Sequence, residues 1–206
     1  MSLELWSSFV ALALVAVFSP GPAVLLAVTH AAQFGVRRAV FPILGNITGL
    51  AILVGLTAYG LGAVLEGSSQ WFLALRIAGG LYLVYLGIKL LRAKGLDLSN
   101  TQTLPIQPSR RKSYLQGVMV ALSNPKAILF IGALFPQFID LAHPVWAQLS
   151  IMGVTLMAMS FGGLIVWAAL SGALIAKGRK ALYGKINKIS GALFIAFGAA
   201  LAVGSR

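Results

Sequence analysis

The 206-residue chain has no cysteine, only four acids and only two histidines. Without cysteine there is no thiol redox chemistry, no disulfide and no iron–sulfur ligation. The acids Glu4, Glu66, Asp97 and Asp140 are scattered, and His30 and His143 stand far apart. Neither a metal-ligand cluster nor the convergent acid, base and nucleophile of a membrane enzyme can be built from that set, so no metal, no cofactor and no catalytic residue is expected. Charge of either sign is scarce: charged residues make up 10% of the chain against 59% apolar ones, and the mean hydropathy is +0.91. Such a chain cannot present a soluble surface, and the solvent it implies is a lipid bilayer.

What is present is length of apolar run. Stretches cover roughly residues 4–32, 39–65, 71–93, 114–139, 145–176 and 184–204. Each can cross a hydrocarbon core of about 30 Å at about 1.5 Å per helical residue. The expectation is an all-α, polytopic membrane protein of six transmembrane helices. Arg37 and Arg38 follow the first span; Lys89, Arg92, Lys94, Arg110, Arg111 and Lys112 surround the third connection; Lys177, Arg179, Lys180, Lys185 and Lys188 surround the fifth. The second and fourth connections carry Glu66 and Asp140 instead. By the positive-inside rule the odd connections are cytoplasmic and both termini lie outside, N-out and C-out.

The net charge of +12 is thus a topology signal and an attraction to anionic headgroups. Nucleic acid is not an expected partner, because no basic run interleaves the aromatics of a base-stacking surface. Trp6, Trp71 and Trp146 fall near outer ends and Tyr114 and Tyr183 near inner ends, as interfacial anchors do. The first run, opened by Glu4 without Lys or Arg, is longer than a signal-peptide core and reads as a retained helix.

Sliding the chain on itself by 104 residues lays Ser19, Ala23, Val24, Leu25, Gln33 and Phe34 over Ser123, Ala127, Ile128, Leu129, Gln137 and Phe138. A slide of 111 residues lays Gly80, Leu86 and Gly87 over Gly191, Phe197 and Gly198. The expected division is a first three-helix repeat over 1–94, a cytoplasmic linker over 95–113 and a second three-helix repeat over 114–206. Each half has an odd number of spans, so the second half must be inserted upside down, as in many secondary transporters. Chance alignment of apolar, glycine-rich segments is the competing account.

Ser19-Pro20-Gly21-Pro22 lies deep in the first span, about 21 Å of helix beyond Trp6. Two prolines without amide hydrogens, around a glycine, predict a break and a restart near Pro22. In the fourth span Asn124 is an N-cap candidate, Pro125 a first helical residue, and Lys126 follows near mid-membrane. A lysine at that depth costs a few kcal/mol on insertion scales and calls for a polar partner or a water path. One reading has the two interrupted helices meet, their free amides and Lys126 holding a substrate carboxylate. The other has prolines that only kink and a lysine that snorkels. Gly45 and Gly49 suit close helix approach, while Asn46 and Thr48 can bond across that contact or to a substrate. His30 and Asp140 are the candidates for proton handling.

Ser19-Pro20-Gly21-Pro22, Gly35-Val36-Arg37-Arg38, Gly45 and Gly49, Asn124-Pro125-Lys126 and Phe135-Pro136-Gln137-Phe138 together resemble the LysE/RhtB amino-acid exporters, and the likeness extends through Gly80 to Gly87 and Gly191 to Gly198. The resemblance implies a six-helix efflux permease of the bacterial inner membrane, proton-driven, able to dimerise, and closest to the branch that handles homoserine and threonine. A small amino acid and the bilayer are then its partners. The absence of an intramembrane carboxylate also points away from cationic substrates. The alternative is a non-transporting membrane subunit or assembly factor, in which the breaks serve packing alone.

Overall fold

The computed structural model describes residues 1–67, 69–92, 107–140, 142–171 and 180–203. The side chains of Glu66, Trp71, Arg76 and Tyr183 and the whole of Lys94, Asp97, Lys177 and Arg179 lie outside what is described. Among the described residues all regular structure is helical: α1 (Leu3–Phe18), α2 (Pro22–Phe34), α3 (Val36–Gly67), α4 (Ser69–Arg92), α5 (Arg110–Leu122), α6 (Pro125–Leu134), a 3₁₀ turn (Phe135–Phe138), α7 (Val145–Ala169) and α8 (Lys180–Val203).

Within α3 and α7, Val36–Gly60 and Val145–Ala169 are long and apolar enough to cross a membrane. α1 and α2 form one bent pair, at 52°, and α5 with the run from Pro125 to Phe138 forms another, at 54°. Each pair is long and apolar enough to cross as one broken span. α4 and α8, of 24 residues each, pack along one another. α5 starts at Arg110, inside the stretch expected as linker, because Ser109 caps it by accepting the Lys112 amide at 3.2 Å.

Glycine decides which helices touch. A Cβ on Gly87 would stand 2.6 Å from the Gly191 carbonyl oxygen, and one on Gly198 would stand 2.6 Å from that of Gly80. α4 and α8 are therefore antiparallel and in backbone contact. α3 and α5 run parallel in the same way: Gly45 meets the Tyr114 carbonyl, Gly49 meets the Val118 carbonyl at 2.9 Å, and Gly117 meets the Pro42 carbonyl. The hydroxyl of Tyr114, expected as an interfacial anchor, donates to Thr48 Oγ1 at 2.8 Å within the α3–α5 seam. Small residues let backbones approach where lipid supplies no hydrophobic drive between helices.

Phe9 of α1 is fully buried and stands edge-on to Phe135 and Phe138, ring centroids 5.6 and 5.5 Å apart. The α1 half of the first bent pair thus packs on the end of the second. A separate cluster of Val24, Ala27, Val28, Ile43, Leu164 and Trp167 holds α2 against α3 and α7.

Exchange of Gly87 for Leu should destabilise the fold by about 1–3 kcal/mol, since overpacking forces backbone shifts. Nothing lies within 4 Å of a Cβ on Gly55, so Gly55→Leu should leave the detergent melting temperature unchanged. Paired thermal melts read by size-exclusion chromatography check both.

Candidate functional site

α1 stops at Phe18 and α2 starts at Pro22, with Ser19, Pro20 and Gly21 between them. Pro22 sits at the first helical position, where its missing amide costs nothing. Gly21 caps α2 without a side-chain hydrogen bond, so the first-turn amides of Ala23 and Val24 have no partner within the helix. In the second bent pair Ser123 and Asn124 separate α5 from α6, and Asn124 Oδ1 accepts the Lys126 amide at 3.1 Å. Both breaks expected from the sequence are present, and Asn124 and Pro125 take the roles their residue types predict.

Lys126 joins the two. Its Nζ donates to the Ala16 carbonyl at 2.9 Å and to the Ser19 carbonyl at 2.7 Å. These oxygens belong to the end of α1, where the last carbonyls have no intrahelical partner and the dipole is negative. The ammonium therefore caps a helix of the other half of the chain. No anion does this work: among the described residues the one ion pair is Asp140 with His143. Gly21 lies against the ammonium, where a Cβ would sit 3.4 Å from Nζ in ordinary contact. Two of the three donors of an ammonium are used, and one is left.

That third donor lies beside a cavity of about 70 Å³ between α1, α2, α3, α6 and α7. Gly21, Asn46, Asn124, Lys126 and Ser160 supply its polar lining, and Val24, Leu50, Phe130, Ile131, Leu156 and Leu164 are among its apolar walls. The space holds several waters or a small organic group. Among the sequence candidates, Ser19 reaches it through Lys126, Pro20 is buried in the break, and Pro22 and Pro125 start the helices that point at it. Ser160 was not singled out from sequence. Its only signal is one hydroxyl among the few polar residues of α7, with Gln148, Ser150 and Thr155, beside Gly162 and Gly163.

His30 and Asp140 do not line this cavity. His30 is buried in α2 with its ring edge-on to Phe34, centroids 5.8 Å apart. Asp140 lies past the end of the 3₁₀ turn, where Oδ1 accepts the Ala142 amide at 3.0 Å and Oδ2 meets His143 Nδ1 at 2.8 Å. Gln148, missed in the sequence, binds this turn from α7: its amide nitrogen donates to the Asp140 carbonyl at 2.8 Å and its oxygen accepts the Asp140 amide at 3.0 Å.

Broken helices that meet at a small cavity inside a helical membrane protein define a transporter-type architecture. The chain belongs to the LysE family: the family model described as LysE type translocator matches residues 14–205. It is 37% identical over 205 residues, 98% of each chain, to the homoserine/homoserine lactone efflux protein of Salmonella typhimurium. It is 32% identical over 204 residues to the leucine efflux protein of Salmonella choleraesuis, covering 97% of this chain and 95% of that one. An uncharacterized membrane protein of Vibrio cholerae is 29% identical over 203 residues, 98% of each. No solved structure matches the chain.

The Ala142 amide, and after it the His143 ring, hold the Asp140 carboxyl below the ordinary carboxylate range. A carboxylate lowered by folding lends stability that is in force above its unfolded pKa of about 3.9 and fades as pH falls through the folded value. The Asp140 turn should therefore keep its amide protection from neutral pH to about pH 4 and lose it only below that. Hydrogen exchange at Ala142 across an acid series checks this, and loss of protection near pH 6 would contradict it.

Proposed function

We propose that this protein exports amino acids or close derivatives across the bacterial inner membrane, neutral homoserine- or threonine-like ones above others, as a secondary transporter that exchanges them for protons. One observation carries the reading. Two broken helices, one from each half of the chain, converge on a cavity whose only ionisable lining residue among those described is Lys126. The names of the efflux relatives support the same substrate class.

In this reading the substrate carboxylate rests on the free amides of Ala23 and Val24 and on the third donor of Lys126, with Ser19, Pro20, Gly21, Pro22, Asn124 and Pro125 setting that geometry. A helix N-terminus and a lysine together favour an anion. With no acid at the cavity, a cationic side chain would find no counter-ion there, so neutral substrates are preferred. Protons enter through His30, on the helix whose first turn faces the cavity, or Asp140 at the outer rim.

The six-span inverted repeat, with both termini outside, is part of the proposal. Its support is the pairing of glycines across α4 and α8. A 111-residue repeat relates Gly80 to Gly191 and Gly87 to Gly198, so a two-fold axis turns the Gly87–Gly191 contact into the Gly198–Gly80 contact, and both are present. A homodimer is the assembly that goes with this family resemblance.

Counterflow in proteoliposomes tests the reading. Homoserine, threonine and leucine should exchange, lysine and arginine should not, and an imposed inward proton gradient should drive net export. Lys126→Met should insert normally and lose exchange by at least about 100-fold, as expected when a charge-assisted partner of a buried carboxylate is removed. Full exchange by that variant would take Lys126 out of the site.

A further inference from the structure

An amino acid brings a second charge, and the cavity has to meet it without a carboxylate. We infer that Asn46 Oδ1 and Ser160 Oγ form the subsite for the substrate's α-ammonium, a step that rests on the amino-acid reading above.

Asn46 lies on α3, is 4% exposed, and lines the cavity with an Oδ1 that has no hydrogen-bond partner. A buried acceptor without a donor is unfavourable, so the position is satisfied only when a donor arrives. Ser160, 8% exposed, reaches the same cavity from α7. Of the other acceptors nearby, Asn124 Oδ1 is committed to the Lys126 amide and the Ala16 and Ser19 carbonyls to Lys126 Nζ, while Ser19 Oγ, also without a partner, does not line the cavity. An incoming ammonium, one carbon from a carboxylate held at Lys126, is left with Asn46 and Ser160 as its acceptors.

Neutral acceptors suit a zwitterion. A carboxylate in their place would hold Lys126 as a fixed ion pair and occupy the cation subsite before any substrate came. Uncharged oxygens accept an ammonium without competing for the lysine. The required ligand is thus an acid with a protonated amine on its α-carbon, and an α-hydroxy analogue of equal size should be disfavoured, since its neutral hydroxyl offers one uncharged donor where the ammonium offers several charge-assisted ones.

The test compares each amino acid with its α-hydroxy acid as inhibitors of homoserine or leucine counterflow in proteoliposomes. The wild type should prefer the amine by at least about tenfold. In Asn46→Leu, of similar volume and without an acceptor, the preference should collapse toward unity, with Ser160→Ala intermediate. Should Asn46→Leu not fold, Asn46→Ser, which keeps a shorter acceptor, replaces it, and its preference should fall between those of wild type and Ser160→Ala. An unchanged preference in every folded variant, or a wild type that accepts hydroxy acids equally, overturns the assignment. A wild type that exchanges no amino acid overturns the export reading instead.

Discussion

A helix that ends inside a membrane leaves carbonyl oxygens with no water to turn to, and the fold depends on how those of α1 are satisfied. Lys126 supplies the answer from the opposite half of the chain. A lysine at the bilayer centre costs about 2.5–3.5 kcal/mol on insertion scales. A hydrogen bond to a charged donor returns about 1.5–3 kcal/mol, so two of them offset that cost. The break and the buried charge are each unfavourable alone and tolerable together. This mutual need joins the first broken span to the second more specifically than apolar contact can in lipid.

The two breaks are not equivalent. The second is capped by its own Asn124, whereas the first has its carbonyl end held by Lys126 and its amide end left open by Gly21. Electropositive groups therefore gather on one side of the cavity: the α2 amides and the spare Lys126 donor. Asn46 Oδ1, an acceptor without a partner, lines the cavity from α3, and the Ser160 hydroxyl lines it from α7. Under the proposed reading such a division would distinguish the two ends of a zwitterion by position, with no counter-charge built into the protein.

Much of this was legible because it is local. Pro20 and Pro22 flank a glycine and Pro125 follows a capping asparagine, and these local clusters mark the breaks, whereas the single Pro42 is carried inside α3. Asn124 before Pro125 announces a cap. Gly45 and Gly49 one turn apart marked a close seam, and the seam formed against Gly117 and Tyr114. Partners distant in the chain were not legible. That Tyr114 bonds Thr48, 66 residues away, could not be read from either segment. Gln148 carried no signal, since a lone glutamine in an apolar span declares neither its partner nor its burial, and Ser160 was hidden in the same way.

Composition, charge placement and the proline pattern determined by themselves that the chain lives in a membrane, that its helices break twice and where, and which family it resembles. These properties depend on transfer free energy and on backbone sterics, both of which are summed along the chain. Only the tertiary structure decided that Lys126 caps α1, that Asn46 and Ser160 face one cavity, and that His30 and Asp140 stand apart from it. Those are matters of which helix faces which, and in lipid that choice is made by fit between glycine surfaces and by unsatisfied polar groups finding one another. Neither can be read from one segment at a time.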